Sequence, residues 1–339
     1  MHHEKQTQVS MNRSEADGLP RREFLKRSAL TAAGVVIAGK FVRWSEMDAL
    51  GAEEKSKVVV VRSDWAISEG GAVNAAVVEK MLERGISELA GKSDARKAWR
   101  TFFKPSDSVA TCDAGFHLQN VPELTVATLK GLAFAGVASM KLGSQYVTLS
   151  QQRPALAPKA APWISAVKEE LKAAGISEDV IDPALYKIPA RYAVEPFDAL
   201  LVVCTLKPHY ISGVSGVVKH FATLSKKGPA TYHPNAMATA GSVLQTDFSN
   251  HRKLVVVDAL RFAKVAPPHR QASDLYYSKI LILSTDPVAA DTVALDLFLK
   301  AGCKPYGDIP PRVHIETADK QYHAGVSDLS RIEIRRVEV

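Results

Sequence analysis

Short apolar runs alternate with helical patterns of hydrophobic residues along the chain from residue 57 onward. Strands are predicted where β-branched and apolar residues form uninterrupted runs, at 58–61, 109–112, 200–204, 254–257 and 280–283. Helices are predicted where apolar residues recur at helical spacing or follow a proline, at 72–89, 122–135, 162–174 and 286–300. Strands without polar alternation are typical of a parallel sheet that is covered on both faces. The pattern therefore predicts an α/β fold, with a mostly parallel sheet and helices on both faces.

The stretch 150–162 is the best candidate for a division of this α/β region. It contains three prolines and no aromatic residue, which is typical of a boundary or an exposed loop. The chain has 339 residues, of which 46% are hydrophobic, enough for one large or two medium globular units. We expect an α/β domain over 52–339, with two lobes that meet near 150–162.

The first 51 residues have the organisation of an export signal. Arg21 and Arg22 precede Phe24-Leu25-Lys26, and a weakly apolar run follows at 28–39. A membrane-spanning helix needs about 20 apolar residues, so this run is too short to serve as a stable anchor. A basic segment followed by a short apolar segment is the order of a signal peptide.

The paired arginines at this spacing resemble the twin-arginine export signal. The resemblance implies transport by the twin-arginine translocase, a periplasmic location, cleavage near Gly51 and no integral membrane span in the mature protein. Because that route carries folded proteins, often with a cofactor already inserted, it favours a tightly held prosthetic group. The alternative is a basic amphipathic helix that stays attached to the protein.

Charge and cysteine content exclude two classes of site. The net charge is +7, from 43 basic and 36 acidic residues, and the excess is too small and scattered to predict a nucleic-acid partner. The only cysteines are Cys112, Cys204 and Cys303, and they lie far apart in the sequence. A cluster or structural zinc site with four cysteine ligands cannot form within one chain. No iron–sulfur cluster is therefore expected.

Residues suited to binding an anion follow the strand predicted at 200–204. Lys207 and His209 come directly after it, and ligands of open α/β sheets lie at the carboxyl ends of the strands. A turn then leads into a predicted helix that carries Lys219, and such a turn offers backbone N–H groups to an anion. The turn residues in this candidate site are Gly213, Ser215 and Gly216. We predict a small anionic ligand here.

Carboxylates follow two further predicted strands. Asp258 follows 254–257, and Asp286 and Asp291 follow 280–283. If these strands end at one edge of the sheet, the carboxylates lie near Lys207 and His209. In this interpretation Asp286 contributes to catalysis, whereas Asp258 and Asp291 bind a divalent metal. The structural alternative is that Asp286 caps the helix that begins beside it and Asp258 caps a turn.

The order of these motifs resembles the domain of unknown function 362 family, which has no settled activity. The resemblance covers about the C-terminal half of the chain and rests on Lys207-x-His209, the Gly-Ser-Gly turn, Lys219, His233, the strand ending in Asp258 and the segment 284–291. The family usually carries an Ile-Lys-x-Asn strand in its N-terminal half. The corresponding segment 108–113 reads Ser-Val-Ala-Thr-Cys-Asp, so any role of the missing Lys and Asn is not expected here.

A more distant resemblance is to the lactate racemase family. In the segment 208–219, His209 lies ten residues before Lys219, and His233 follows downstream. In that family the Lys is bonded to a nickel pincer nucleotide, and a downstream His ligates the nickel. The resemblance implies that His209 is a general acid or base, Lys219 the cofactor attachment and His233 a metal ligand.

Three functions are consistent with these features, and they leave open whether the protein is an enzyme. The first is an exported metal- or cofactor-dependent enzyme, in which His209 transfers a proton or flanks a hydride on a small organic acid while Lys207 and Lys219 hold negative charge. The second is a divalent-metal hydrolase built on Asp258, Asp286 and Asp291. The third is a non-catalytic periplasmic binding protein or a partner subunit of an exported redox complex.

Overall fold

The chain divides into two units, Met1–Glu54 and Lys55–Val339. The computed structural model describes residues 35–37, 40–42, 55–114, 118–152, 155, 157–186, 196–225, 231–233, 237–265, 274–308 and 310–339. In the first unit, β1 (Val35–Ile37) pairs antiparallel with β2 (Lys40–Val42). Arg21, Arg22 and the expected cleavage site near Gly51 lie outside the described residues, so export stays a prediction.

The second unit alternates strands and helices. Its strands are β3 (Ser56–Arg62), β4 (Ser108–Ala114), β5 (Ser139–Ser144), β6 (Ala199–Cys204), β7 (Lys207–His209), β8 (Gly213–Ser215), β9 (Arg252–Ala259), β10 (Phe262–Ala263), β11 (Leu275–Tyr276), β12 (Ile280–Ser284) and β13 (Ile332–Glu338). Its helices are α1 (Ala75–Ala90), α2 (Ala95–Phe102), α3 (Pro122–Ala135), α4 (Gln145–Gln152), α5 (Ala157–Ala173), α6 (Val217–Leu224), α7 (Val243–Thr246), α8 (Pro287–Lys300) and α9 (Val313–Lys320). The predicted division at 150–162 falls inside this unit, from the end of α4 to the first turns of α5.

Seven strands form the central sheet, in the order β13-β3-β12-β9-β6-β4-β5. Neighbouring strands are parallel except where β12 takes part, because β12 runs antiparallel to both β3 and β9. The predicted α/β fold with a mostly parallel sheet is therefore confirmed. The direction of β12 corrects one detail, since its apolar run was interpreted as a parallel strand. An apolar run reports burial on both faces and carries no information about direction.

The reversed direction of β12 moves its carboxyl end to the opposite edge of the sheet. Ser284, the last residue of β12, pairs with Val58 near the beginning of β3, whereas Ile280, the first residue of β12, pairs with Ala259 at the end of β9. Asp286, which follows β12, therefore lies at the edge opposite the carboxyl end of β6. The expectation that Asp286 shares one edge with Lys207 and His209 is corrected by this topology.

An apolar core covers each face of the sheet. Alternate residues of β3 belong to different cores, with Val58 and Val60 in one and Val59 and Val61 in the other. The first core includes residues of α6, α8 and α9, and the second includes residues of α1, α2, α3 and α5. This arrangement explains why the strands lack polar alternation, because each buries side chains on both faces. Across the described residues, no helix combines the length and apolar character needed to cross a membrane.

Candidate functional site

A short hairpin at the carboxyl end of β6 positions the first two candidate residues. β7 pairs antiparallel with β8, with Lys207 opposite Ser215 and His209 opposite Gly213. Gly213 has a φ of 73°, a left-handed conformation that glycine adopts at little cost. Gly213 and Ser215 therefore shape the hairpin that turns the chain back toward the beginning of α6.

A carboxylate from α8 occupies the N-terminus of α6. The backbone N–H groups of Val217 and Val218 donate to Oδ1 and Oδ2 of Asp291 at 2.7 and 2.8 Å. A Cβ atom on Gly216 would lie 2.3 Å from Oδ1 of Asp291, so only glycine allows this close approach. Burial raises the pKa of Asp291 to about 7, although the two N–H bonds act in the opposite direction. The backbone groups predicted to hold a ligand anion thus bind Asp291 instead.

Basic side chains from four parts of the chain come together beyond this hairpin. We call Lys207, His209, Lys219, His233 and His314 the basic cluster. The rings of His209 and His233 stack with centroids 5.5 Å apart and an interplanar angle of 20°. Lys219, from the first turn of α6, is only 7% exposed, and Lys207 and His314 are also buried.

The members of the basic cluster act on one another electrostatically. Burial, Lys219 and then His233, Lys207 and His314 lower the pKa of His209 to about 2. Burial and Lys219 lower the pKa values of His233 and His314 to about 4 each. Burial lowers the pKa of Lys219 to about 8. Near neutral pH these histidines are therefore uncharged, and Lys219 remains mostly protonated.

Backbone contacts fix the protonation pattern of His209. Its Nδ1 accepts hydrogen bonds from the N–H groups of Ile211 at 3.2 Å and Ser212 at 3.4 Å. A ring nitrogen that accepts must be unprotonated, so the proton of the neutral imidazole is on Nε2. His209 can therefore offer an N–H group from the opposite side of its ring.

Two further carboxylates lie at the carboxyl edge beside the basic cluster. Asp258 accepts from the N–H groups of Val121 at 2.8 Å and Leu260 at 3.1 Å, so it ties α3 to the end of β9. Asp113, at the end of β4, accepts from Asn120 at 2.9 Å and from a nearby threonine hydroxyl. Burial raises the pKa of Asp113 to about 7, while these hydrogen bonds and Lys207 act in the opposite direction.

The three carboxylates predicted as catalytic or metal-binding have structural partners. Asp286 is the N-cap of α8 and accepts from Val288 at 2.9 Å and Ala289 at 3.0 Å. Its other oxygen accepts from Ser56 at 2.5 Å and Val326 at 2.9 Å. Within the part of the chain that the structure describes, no group of three or more His, Cys, Asp or Glu residues could hold a metal ion. The geometry therefore gives no support to a divalent-metal hydrolase built on Asp258, Asp286 and Asp291.

The sequence predicted that Lys207, His209, Lys219 and His233 belong to one site. It did not predict two of their neighbours, Asp113 and His314. Asp113 had been treated only as a departure from a family motif, although a polar residue that ends an apolar strand at this edge is itself a signal. His314 has no ligand spacing to another histidine in the sequence, so it is absent from the predicted site residues. It reaches the basic cluster from α9, which is distant in sequence, so no local pattern could have found it.

Residues 172–296 match the family model described as Domain of unknown function (DUF362). This match confirms the resemblance predicted from the motifs. The DUF362 segment contains Lys207, His209, Lys219 and His233, whereas His314 follows it. The resemblance to the lactate racemase family stays a prediction.

We also compared the chain with solved structures and with curated proteins. A crystal structure of a Thermotoga maritima protein, a target of the Northeast Structural Genomics Consortium, is similar to this chain with 12% sequence identity and a TM-score of 0.38. The similarity covers 66% of this chain and 59% of that chain, less than two thirds of the latter's length. No curated protein matches this sequence.

Proposed function

We propose that the protein is an exported enzyme that binds a small organic acid in the basic cluster and catalyses proton transfer with the help of a hydrogen bond from His209. The observation that carries this proposal is the buried ammonium group of Lys219 among three neutral histidines. No carboxylate of the described residues forms an ion pair with it. Burying a charge without a counter-charge is costly, and an anionic ligand would offset that cost.

The roles that we propose for Lys219, Lys207 and His209 follow from the charge states of their side chains. Lys219 would attract the carboxylate of the substrate, and Lys207, also in the basic cluster, would add to the positive potential. His209 would donate a hydrogen bond from Nε2 to a substrate oxygen on which negative charge develops, while the carbon-bound proton leaves to a solvent water, which returns a proton in the reverse step. Its low pKa means that the neutral imidazole acts as the donor, so no positive charge has to be formed beside Lys219.

Anion binding can be tested by titrating the purified protein with acetate, lactate and malonate in a calorimeter. We expect binding by the wild type, and at least about a tenfold loss of affinity in Lys219→Met, because each charge-assisted hydrogen bond contributes about 1.5–3 kcal/mol. Lys300→Met is the control, since Lys300 is 68% exposed on α8 and pairs with Asp296. Equal affinities of wild type and a folded Lys219→Met variant would contradict the proposal.

Proton transfer is tested separately from binding. In heavy water, NMR would follow exchange of the carbon-bound proton next to the carboxylate of each acid. We expect exchange with the wild type and loss of exchange, with binding retained, in His209→Gln. Full exchange by that variant would remove His209 from catalysis. Binding without exchange in the wild type would favour the non-catalytic binding protein.

A finer form of the proposal places a nickel pincer nucleotide on Lys219. It is supported by the clustering of Lys219, His209 and His233, the three residues that the lactate racemase resemblance implicates. A lysine with a pKa near 8 has more neutral amine for covalent attachment than an exposed lysine. When bound, the group would supply hydride transfer. Intact mass and nickel content of natively produced protein test this form, and an unmodified, nickel-free chain would remove it while leaving anion binding intact.

A further inference from the structure

His314 is a buried polar residue with an unsatisfied ring nitrogen. It lies in the first turn of α9, which packs against α6 and α8, and it is 2% exposed. The next residue, Ile315, is part of the apolar core on this face of the sheet. Nε2 of His314 has no hydrogen-bond partner among the residues that the structure describes. Leaving a buried nitrogen unpaired costs about 1–3 kcal/mol, so such an atom calls for an explanation.

The position of His314 points to the site of Lys219. α9 packs against α6, which carries Lys219 in its first turn, so His314 and Lys219 lie on two helices in contact. The charge of Lys219 lowers the pKa of His314, as it lowers those of His209 and His233. His209 and His233 stack on each other, whereas His314 comes from a separate helix and makes no ring contact with either in the described structure. A ligand bound at Lys219 would therefore have the stacked rings of His209 and His233 on one side and the ring of His314 on another.

We infer that His314 is a further ligand-binding residue, and that the ligand is a small dicarboxylate whose second carboxylate accepts a hydrogen bond from Nε2 of His314. This inference rests on the proposed function and specifies its substrate class. One planar carboxylate has two oxygens, which Lys219 and the N–H of His209 engage. An acceptor for His314 then has to come from another part of the ligand. A second carboxylate supplies this acceptor and adds a charge that suits the positive potential of Lys207 and Lys219.

The test compares a mono- and a dicarboxylate, acetate and malonate, in calorimetric titrations of the full chain. We expect the wild type to bind malonate at least tenfold more tightly than acetate. In His314→Phe, which fills a similar volume without a ring nitrogen, malonate should lose about tenfold in affinity while acetate binding stays unchanged. An unchanged ratio of malonate to acetate affinity in this variant would overturn the inference.

Three controls keep the outcomes distinct. His314→Gln keeps a donor and should retain part of the preference for malonate, which covers the case in which the phenylalanine variant fails to fold. His323→Asn changes a histidine just beyond α9 whose φ of 49° asparagine also adopts, and it should leave both affinities unchanged. Inorganic phosphate is the third ligand, and tighter binding of phosphate than of malonate would overturn the dicarboxylate assignment.

The same titrations distinguish the role of His314 from anion binding at Lys219. If Lys219→Met binds acetate as well as the wild type does, anion binding at the basic cluster fails, and the role of His314 fails with it. If Lys219→Met loses acetate binding but both His314 variants keep the full malonate preference, only the role of His314 fails.

Discussion

At the scale of single residues, Asp291 shows how burial decides the role of a carboxylate. Its place after a predicted strand, together with Asp258 and Asp286, suggested a metal ligand, yet both of its oxygens accept backbone N–H groups at the beginning of α6. That helix carries Lys219, so Asp291 positions the lysine without contacting it through a hydrogen bond. Gly216 completes the arrangement because it leaves room for the carboxylate.

Gly216→Ala should destabilise the protein through overpacking. The new Cβ would lie 2.3 Å from Oδ1 of Asp291, so the carboxylate or the helix must shift, at a cost of about 1–3 kcal/mol in the free energy of unfolding. Urea denaturation measures this loss. Gly70→Ala is the matched control, since its nearest neighbour would be 3.8 Å away, and equal stability of the two variants would contradict the packing described here.

Asp291→Asn should change how stability depends on pH. The folded-state pKa of Asp291 is raised from 3.8 to about 7, so the carboxyl group is protonated in the folded protein and ionised in the unfolded chain between these values. Its contribution to stability is therefore fully present below pH 3.8 and is lost as the pH rises through about 7, with a slope of at most about 1.4 kcal/mol per pH unit.

Urea denaturation of wild type and Asp291→Asn between pH 4.5 and 7.5 isolates this contribution, because other titrating groups affect both proteins equally. The stability of the wild type should fall relative to that of the variant as the pH rises. Parallel pH profiles would show that Asp291 titrates normally.

At the scale of elements, the direction of β12 decides that the carboxylate following it has a structural role and lies outside the candidate site. β12 is antiparallel to its neighbours, so Asp286 lies at the edge away from the basic cluster. There it joins α8, the beginning of β3 and the segment before β13 through four hydrogen bonds. The sequence located the helix that begins after Asp286, but the sheet edge on which that helix begins depended on pairing with distant strands.

Asp286→Ala should therefore reduce stability and leave ligand binding intact. Loss of the N-cap and of the bonds to Ser56 and Val326 should cost about 1–3 kcal/mol, measured by urea denaturation. The affinity for malonate should stay within about twofold of the wild-type value. Asp94→Ala, which removes an N-cap whose side chain accepts from one backbone N–H, that of Lys97, among the described residues, should cost less. A selective loss of malonate binding in a stable Asp286→Ala variant would show that Asp286 contributes to ligand binding.

Pattern reasoning found the buried strands of the sheet centre and missed its edges. β6, β9 and β12 are continuous apolar runs because they are covered on both faces. The edge strands β5 and β13 contain polar and charged residues, including Lys141 and Arg335, and were not predicted. Edge strands are partly solvated, so their side chains carry a weaker hydrophobic signal.

At the scale of the whole molecule, the predicted export signal and the α/β unit lie in different parts of the chain. The unit Lys55–Val339 contains the basic cluster, whereas the paired arginines precede it in the chain. We propose from the sequence that these arginines direct the protein to the twin-arginine translocase.

Replacing Arg21 and Arg22 together by lysine should retain the protein inside the cytoplasm. Lysine keeps the positive charge but lacks the planar group that makes arginine recognition specific. Cell fractionation followed by immunoblotting measures the distribution, with Lys26→Arg as a control that keeps the pair intact. Wild-type amounts of the double variant in the periplasm would show that the pair is not the export signal.

The sequence by itself determined the alternation of strands and helices, the parallel character of most of the sheet and four of the five residues of the basic cluster. These features follow from local periodicity and from the rule that ligands lie beyond the carboxyl ends of parallel strands. Only the tertiary structure decided that Asp286 lies on the far edge, that Asp291 caps α6 and that α9 brings His314 against the helix that carries Lys219. Those outcomes depend on strand direction and helix packing between segments far apart in the chain, which no local pattern of residues encodes.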